Sequence, residues 1–141
     1  MGAVLFSKIT LNKLLEIGAE VVGVVTKEES SFNADFADLT PLCEAKSIPY
    51  KFVNDINHPN NVAWIKNLNP DVIYCFGWSS LIKKDLLRAA PLGVVGFHPA
   101  ALPNNRGRHP LIWAIALGLK QSASTFFFMD EGADTGDIIS Q

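Results

Sequence analysis

Cysteine is scarce in this chain: Cys43 and Cys75 are the only two in 141 residues. They have neither the spacing of metal ligands nor the density of a secreted disulfide scaffold, so buried reduced thiols are expected. No apolar run approaches the roughly 18–20 residues needed to cross a bilayer, and no basic region precedes an apolar one at the amino terminus. These absences point to a cytoplasmic protein without membrane contact. Charge of one sign is also lacking, with 12 Lys and Arg against 14 Asp and Glu, a net charge of −2 and a pI near 5.9. The basic residues are scattered, which argues against a nucleic-acid partner. Internal repeats are missing, which excludes a solenoid. No run of three spaced glycines joins a strand to a helix, so a nicotinamide cofactor is not expected.

What remains is an ordinary globular mixture, 48% hydrophobic and 18% charged, enough for one compact domain over residues 1–141. Short β-branched runs alternate with helical periodicity, which predicts an α/β, Rossmann-like fold with a mostly parallel sheet covered by helices on both faces. Ile9 to Ile17 reads as a first helix stopped at Gly18, Val21 to Val25 as a buried strand, and Lys27 to Asp38 as a long polar loop. Strands at Tyr50–Val53, Asp71–Phe76, Gly93–Phe97, Thr125–Met129 and Asp137–Gln141 follow. Helices intervene after Pro41, Pro59, Lys83 and Pro110. The opening strand is left at most Gly2 to Phe6, and nothing caps the last strand. That reads as a domain truncated at both ends, or one completed by another chain, which leaves a homo-oligomer open.

Two loops carry groups able to do chemistry. His98 follows an apolar strand and precedes Pro99, at the carboxyl edge where open α/β sheets bind ligands. A neutral imidazole there could take a proton from an attacking amine and return one to a leaving nitrogen; alternatively His98 caps the strand. Asp134 lies in a second loop, after the Phe-rich strand, expected to emerge at the same edge. Its carboxylate could fix the imidazole tautomer, or could belong to a solvated acidic turn with Asp130, Glu131 and Asp137. No His or Cys flanks that cluster, so no metal site is expected.

Asn104, Asn105, Arg106, Arg108 and His109 crowd the loop between Pro103 and Pro110, where Gly107 permits close backbone approach. They could grip an anion or a sugar, or form an exposed polar loop over the core. After the central strand, Gly77, Trp78, Ser79 and Ser80 offer backbone groups beside an aromatic face, suited to a flat heterocycle or to a core lid. His58, before Pro59, reads as a surface turn residue.

Phe97-His98-Pro99-Ala100-Ala101-Leu102-Pro103, then Arg106-Gly107, then Met129-Asp130-Glu131-Gly132-Ala133-Asp134-Thr135-Gly136-Asp137 together resemble the catalytic domain of the folate-dependent formyltransferases. That family includes methionyl-tRNA formyltransferase, glycinamide ribonucleotide formyltransferase and amino-sugar formyltransferases. The resemblance runs over nearly the whole chain and implies a formyltransferase fold. It implies His98 and Asp134 as the catalytic pair and 10-formyltetrahydrofolate as formyl donor. The pterin would be held by the stretch Trp78, Ser80 and Ile82 and by the loop with Asp130 and Gly132. It implies direct attack of an amine on the formyl carbon, with no metal. The chain departs from the family at Gly96, where an asparagine amide helps hold the oxyanion. Loss of such a donor costs on the order of 100- to 1000-fold unless Asn104, Asn105 or protonated His98 takes its place.

Arg106-Gly107-Arg108-His109-Pro110-Leu111-Ile112-Trp113 and the loop Phe32–Phe36 are most similar to the sugar-modifying branch. The expected partners are therefore small molecules, folate and a nucleotide-linked amino sugar, with Asn105, Arg106, Arg108 and His109 against the acceptor. The alternatives are a catalytically weak or inactive folate- or nucleotide-binding domain and a methionyl-tRNA formyltransferase-like enzyme.

Overall fold

A computed structural model of the chain describes residues 1–29 and 34–141. They form two compact units, one of residues 1–70 with 75–78 and one of residues 71–74 with 79–141. In the first unit α1 (Leu5–Glu16), β1 (Val24–Thr26), α2 (Thr40–Ala45), β2 (Tyr50–Phe52) and α3 (Pro59–Asn67) follow in order. β1 and β2 are parallel, with Val24 opposite Tyr50 and Thr26 opposite Phe52. A parallel pair needs a crossover, and α2 lies within it. Pro41 and Pro59 occupy the first turns of α2 and α3, where a missing N–H costs no helical bond. Leu11, Val24, Leu39, Cys43 and Ile48 form a buried cluster, with Leu15, Val21, Leu42 and Tyr50 packed against it.

The first residues differ from the expected opening strand. Gly2 N donates to Val25 O (3.1 Å) and Phe76 N donates to Met1 O (3.0 Å), a strand-like pairing confined to the residues before α1. Leu5 and Phe6 are already helical. Val4 is extended and its N–H is taken by Ser7 Oγ (3.3 Å), a local side-chain bond that starts the helix early. Ser7 Oγ in turn donates to Phe76 O (2.6 Å). β1 starts at Val24, three residues later than the apolar run, because its partner offers only Tyr50–Phe52 for the ladder. Ser30 to Asn33 of the expected loop lie outside the described residues. The loop similar to the sugar-modifying branch thus keeps Asp35, whose O accepts from Leu5 N (2.8 Å), and Phe36, bridged to Val4.

Both thiols are free and buried. Burial pushes the Cys43 thiol up and that of Cys75 to about 11, which keeps them protonated and inert as nucleophiles.

β3 (Ile73–Cys75), α4 (Lys84–Leu87), β4 (Val94–His98), α5 (Pro110–Ala116), β5 (Thr125–Phe128) and β6 (Ile138–Ser140) complete the chain. The sheet order is β3-β4-β5-β6. In the second unit β4 and β5 are antiparallel, with Val95 opposite Phe128 and His98 opposite Thr125. β5 and β6 are antiparallel as well. The predicted parallel arrangement therefore gives way to antiparallel pairing after β4. Val94, Leu86, Ile82 and Phe127 are buried there, and burial of such a side chain is worth about 1.5–3 kcal/mol. Among the described residues no helix is long and apolar enough to cross a membrane.

Candidate active site

His98 is the last residue of β4 and not the first of the loop after it. Its backbone is therefore fixed by the β5 ladder, and the residue is only 5% exposed. Immediately after it, Thr125 Oγ1 donates to Ala100 O (2.6 Å). Gln141 Nε2 donates to both Leu102 O and Thr125 Oγ1 (2.9 Å each). These bonds tie the loop after the histidine to β5 and to the residue beyond β6.

The second loop reaches His98 by an unexpected route. Because β4 and β5 are antiparallel, β5 leaves by the Val95 end of β4. That is three residues, about 10 Å of strand, away from the histidine. Residues 129–134 double back over that distance to bring Asp134 Oδ2 within 3.5 Å of His98 Nδ1. Asp134 is half-buried and its φ is 55°, a left-handed conformation that costs an L residue about 1–2 kcal/mol and that Asp tolerates better than most.

The loop between Pro103 and Pro110 supplies the remaining contacts through its backbone. Asn105 O accepts from His98 Nε2 (2.7 Å). Gly107 N donates to Asp134 Oδ2 (2.8 Å), and Arg106 Nε donates to Asp134 O (2.9 Å). Gly107 has φ 88°, a region glycine enters at no steric cost, and this turns its N–H toward the carboxylate. A neutral imidazole has one N–H and can satisfy either Asn105 O or Asp134; the imidazolium can satisfy both. The arrangement is thus built to hold an imidazole in either protonation state.

The other expected site residues are placed more loosely. Arg108 and His109 are exposed, and His109 is the left-handed N-cap of α5. Asp130 Oδ1 accepts from Gly132 N (3.0 Å) and Thr135 Oγ1 (2.5 Å), so this carboxylate shapes its own turn. Ser80 is exposed and Ile82 is buried. Trp78 belongs to the first unit, where Lys27 Nζ lies 5.3 Å from its ring centroid. Its buried Nε1 has no partner among the described residues. His58 caps α3 by accepting from Asn60 N (3.3 Å), the turn role expected of it. No group of three His, Cys, Asp or Glu side chains able to hold a metal ion occurs among the described residues.

With this geometry in place, comparison with known proteins is decisive. A family profile described as "Formyl transferase" matches residues 3–141. The chain belongs to the formyl transferase family. The methionyl-tRNA formyltransferase of Pelotomaculum thermopropionicum is 33% identical over 145 residues, covering all of this chain and 46% of that protein. The chain therefore spans a little under half of that relative. Among solved structures, phosphoribosylglycinamide formyltransferase from Bacillus halodurans superposes with a TM-score of 0.82 at 24% identity, over 99% of this chain and 75% of the other. WlaRD, a sugar 3N-formyl transferase solved in the presence of dTDP and 5-N-formyl-THF, superposes at 0.73 with 19% identity, over 99% and 48%. The fold is that of the formyltransferases.

Position 96, where the resemblance implies an asparagine, has little room for a side chain. A Cβ at this position would lie 2.9 Å from Phe127 Cε1 and Cζ and 2.9 Å from Met129 Cγ. Phe127 stands directly opposite Gly96 in the ladder and is almost wholly buried, so a side chain at position 96 would have to displace its ring. Gly96→Asn is expected to destabilise the fold by about 1–3 kcal/mol, the range of overpacked cores. Denaturant unfolding would register this as a lower midpoint at unchanged slope. An unchanged midpoint would mean that the ring yields.

Asn105 O, Gly107 N, Thr125 and Gln141 escaped the sequence reading. The first two act through the main chain, which residue type does not reveal. The other two acquire their partners only once the β4–β5 register is known.

Proposed function

We propose that the protein transfers a formyl group from 10-formyltetrahydrofolate to a primary amine carried on a nucleotide-linked sugar. The observation that carries this reading is the approach of Asp134 Oδ2 to His98 Nδ1, 3.5 Å, in a site braced by the Asn105–Gly107 backbone. Membership of the formyl transferase family supports formyl transfer as the reaction class. A neutral amine attacks the formyl carbon, and the C–N bond to the folate nitrogen breaks as the tetrahedral oxyanion collapses. The proton lost by the amine passes to His98 Nε2 and then to the departing nitrogen, so no oxidant, reductant or metal enters the balance. For Nε2 to meet the amine it must give up its bond to Asn105 O; the N–H would then sit on Nδ1, facing Asp134, which favours the imidazolium formed in the transfer. Since Gly96 offers no side-chain amide, the imidazolium would serve as the side-chain oxyanion donor on β4.

For the donor, Ser80, Ile82, Asp130 and Gly132 would contribute backbone contacts. The indole N–H of Trp78, without a partner among the described residues, would suit a heterocycle acceptor. For the acceptor, Asn105, Arg108 and His109 present polar groups around the start of α5. The sugar reading draws support from the Arg106–Trp113 run and from WlaRD, whose structure holds dTDP. The identity to a methionyl-tRNA formyltransferase favours a second reading, an aminoacyl-tRNA acceptor, against which stands the net charge of −2. Formylation assays with 10-formyltetrahydrofolate and dTDP-linked amino sugars, glycinamide ribonucleotide and methionyl-tRNA separate the readings. The expected result is turnover on a sugar. Turnover on tRNA alone would overturn the acceptor assignment, and folate binding without any transfer would reduce the protein to a binding domain.

A further inference from the structure

We infer that Arg106 is a positioning residue for the Asp134 carboxylate and not a grip on the acceptor's phosphates. The inference rests on the formyl-transfer reading above for its kinetic consequences, but not for its geometry. Asp134 sits on a loop that has doubled back from the far end of β5, and it holds a left-handed φ of 55°. Two bonds from the neighbouring loop hold it: Gly107 N donates to the carboxylate Oδ2 (2.8 Å), and Arg106 Nε donates to the carbonyl oxygen of the backbone that carries it (2.9 Å).

The two donors come from consecutive residues of one strap, and the residue before them, Asn105, holds the opposite ring nitrogen through its carbonyl. One short stretch of backbone thereby sets both partners of the imidazole. Arg106 is its side-chain anchor. It uses Nε, the donor nearest the backbone, on a neutral carbonyl of the loop that carries the carboxylate.

The distinction is testable because glutamine places an N–H donor the same number of bonds from Cα as Arg Nε, yet carries no charge. If Arg106 positions Asp134, Arg106→Leu lowers kcat by about 10- to 100-fold with the KM for the amine unchanged, as expected of a misplaced catalytic group. Arg106→Gln then recovers kcat to within about threefold of wild type, and Arg106→Lys, which keeps the charge but moves the donor, recovers less. If Arg106 instead grips phosphate, the order reverses: Arg106→Lys stays near wild type while Arg106→Gln raises KM at constant kcat. That result overturns the inference.

A second readout is independent of turnover. The His98 imidazole NMR resonances should shift in Arg106→Leu and return in Arg106→Gln. Should wild type form no product with any amine, this NMR pattern alone decides: the shift and its return sustain the positioning role while the formyl-transfer reading fails. Resonances unmoved by Arg106→Leu would remove the positioning role even in an active enzyme.

Discussion

Replacing His98 by glutamine is expected to lower formyl transfer by about 100- to 10,000-fold, the span of a lost general acid–base. The imidazole is the one group in the site that meets both a carboxylate and a carbonyl. In the proposed reaction it also carries the proton from nucleophile to leaving nitrogen. With Gly96 contributing no side chain, no side-chain amide at that position is left to preserve part of the oxyanion stabilisation. Glutamine is chosen over alanine because the ring is nearly buried. Its complete removal would leave Asn105 O unpaired, at a cost of about 1–3 kcal/mol. A cooperative thermal melt close to that of wild type, together with lost turnover, is the expected outcome. Retained turnover would place the proton transfer elsewhere.

Asp134→Asn is expected to reduce kcat by a comparable factor, about 100- to 10,000-fold. An amide in place of the carboxylate can present the wrong hydrogen-bonding group to the ring and cannot stabilise the imidazolium by charge. The amide oxygen can still accept from Gly107 N, so the strap and the left-handed turn should survive. Asp134→Ala removes that acceptor as well. It should lose activity to a similar degree while also loosening the loop between Pro103 and Pro110, which limited proteolysis would reveal as faster cleavage there. Equal activity of Asp134→Asn and wild type would reduce the carboxylate to a structural turn residue, the other role its acidic neighbourhood allowed.

The sequence made the ends of this site visible and hid its middle. His98 and Asp134 could be singled out because one ends an apolar strand before a proline-rich loop and the other stands in a glycine-punctuated loop after an apolar run, and their motifs resemble a known family in the right order. Periodicity located the strands at Tyr50, Ile73, Val94 and Thr125 to within a few residues, since β-branched and aromatic runs report burial directly. Periodicity does not report direction. Thr125–Phe128 is as apolar as a parallel strand would be, yet it runs antiparallel to β4, and this alone forces the Asp134 loop to fold back along the sheet. The same register explains Gly96, whose missing side chain follows from the aromatic ring opposite it. Asn105 and Gly107 contribute main-chain atoms, and Arg106 reads equally well as a substrate contact until its Nε is seen on Asp134 O.

The most direct test is a double-mutant cycle in single-turnover formyl transfer, comparing wild type, His98→Gln, Asp134→Asn and the double variant. Two groups acting as one unit predict a double variant about as slow as the slower single one, because removing either already disables the pair. Rate losses that multiply would contradict this, since they would mean that imidazole and carboxylate act independently.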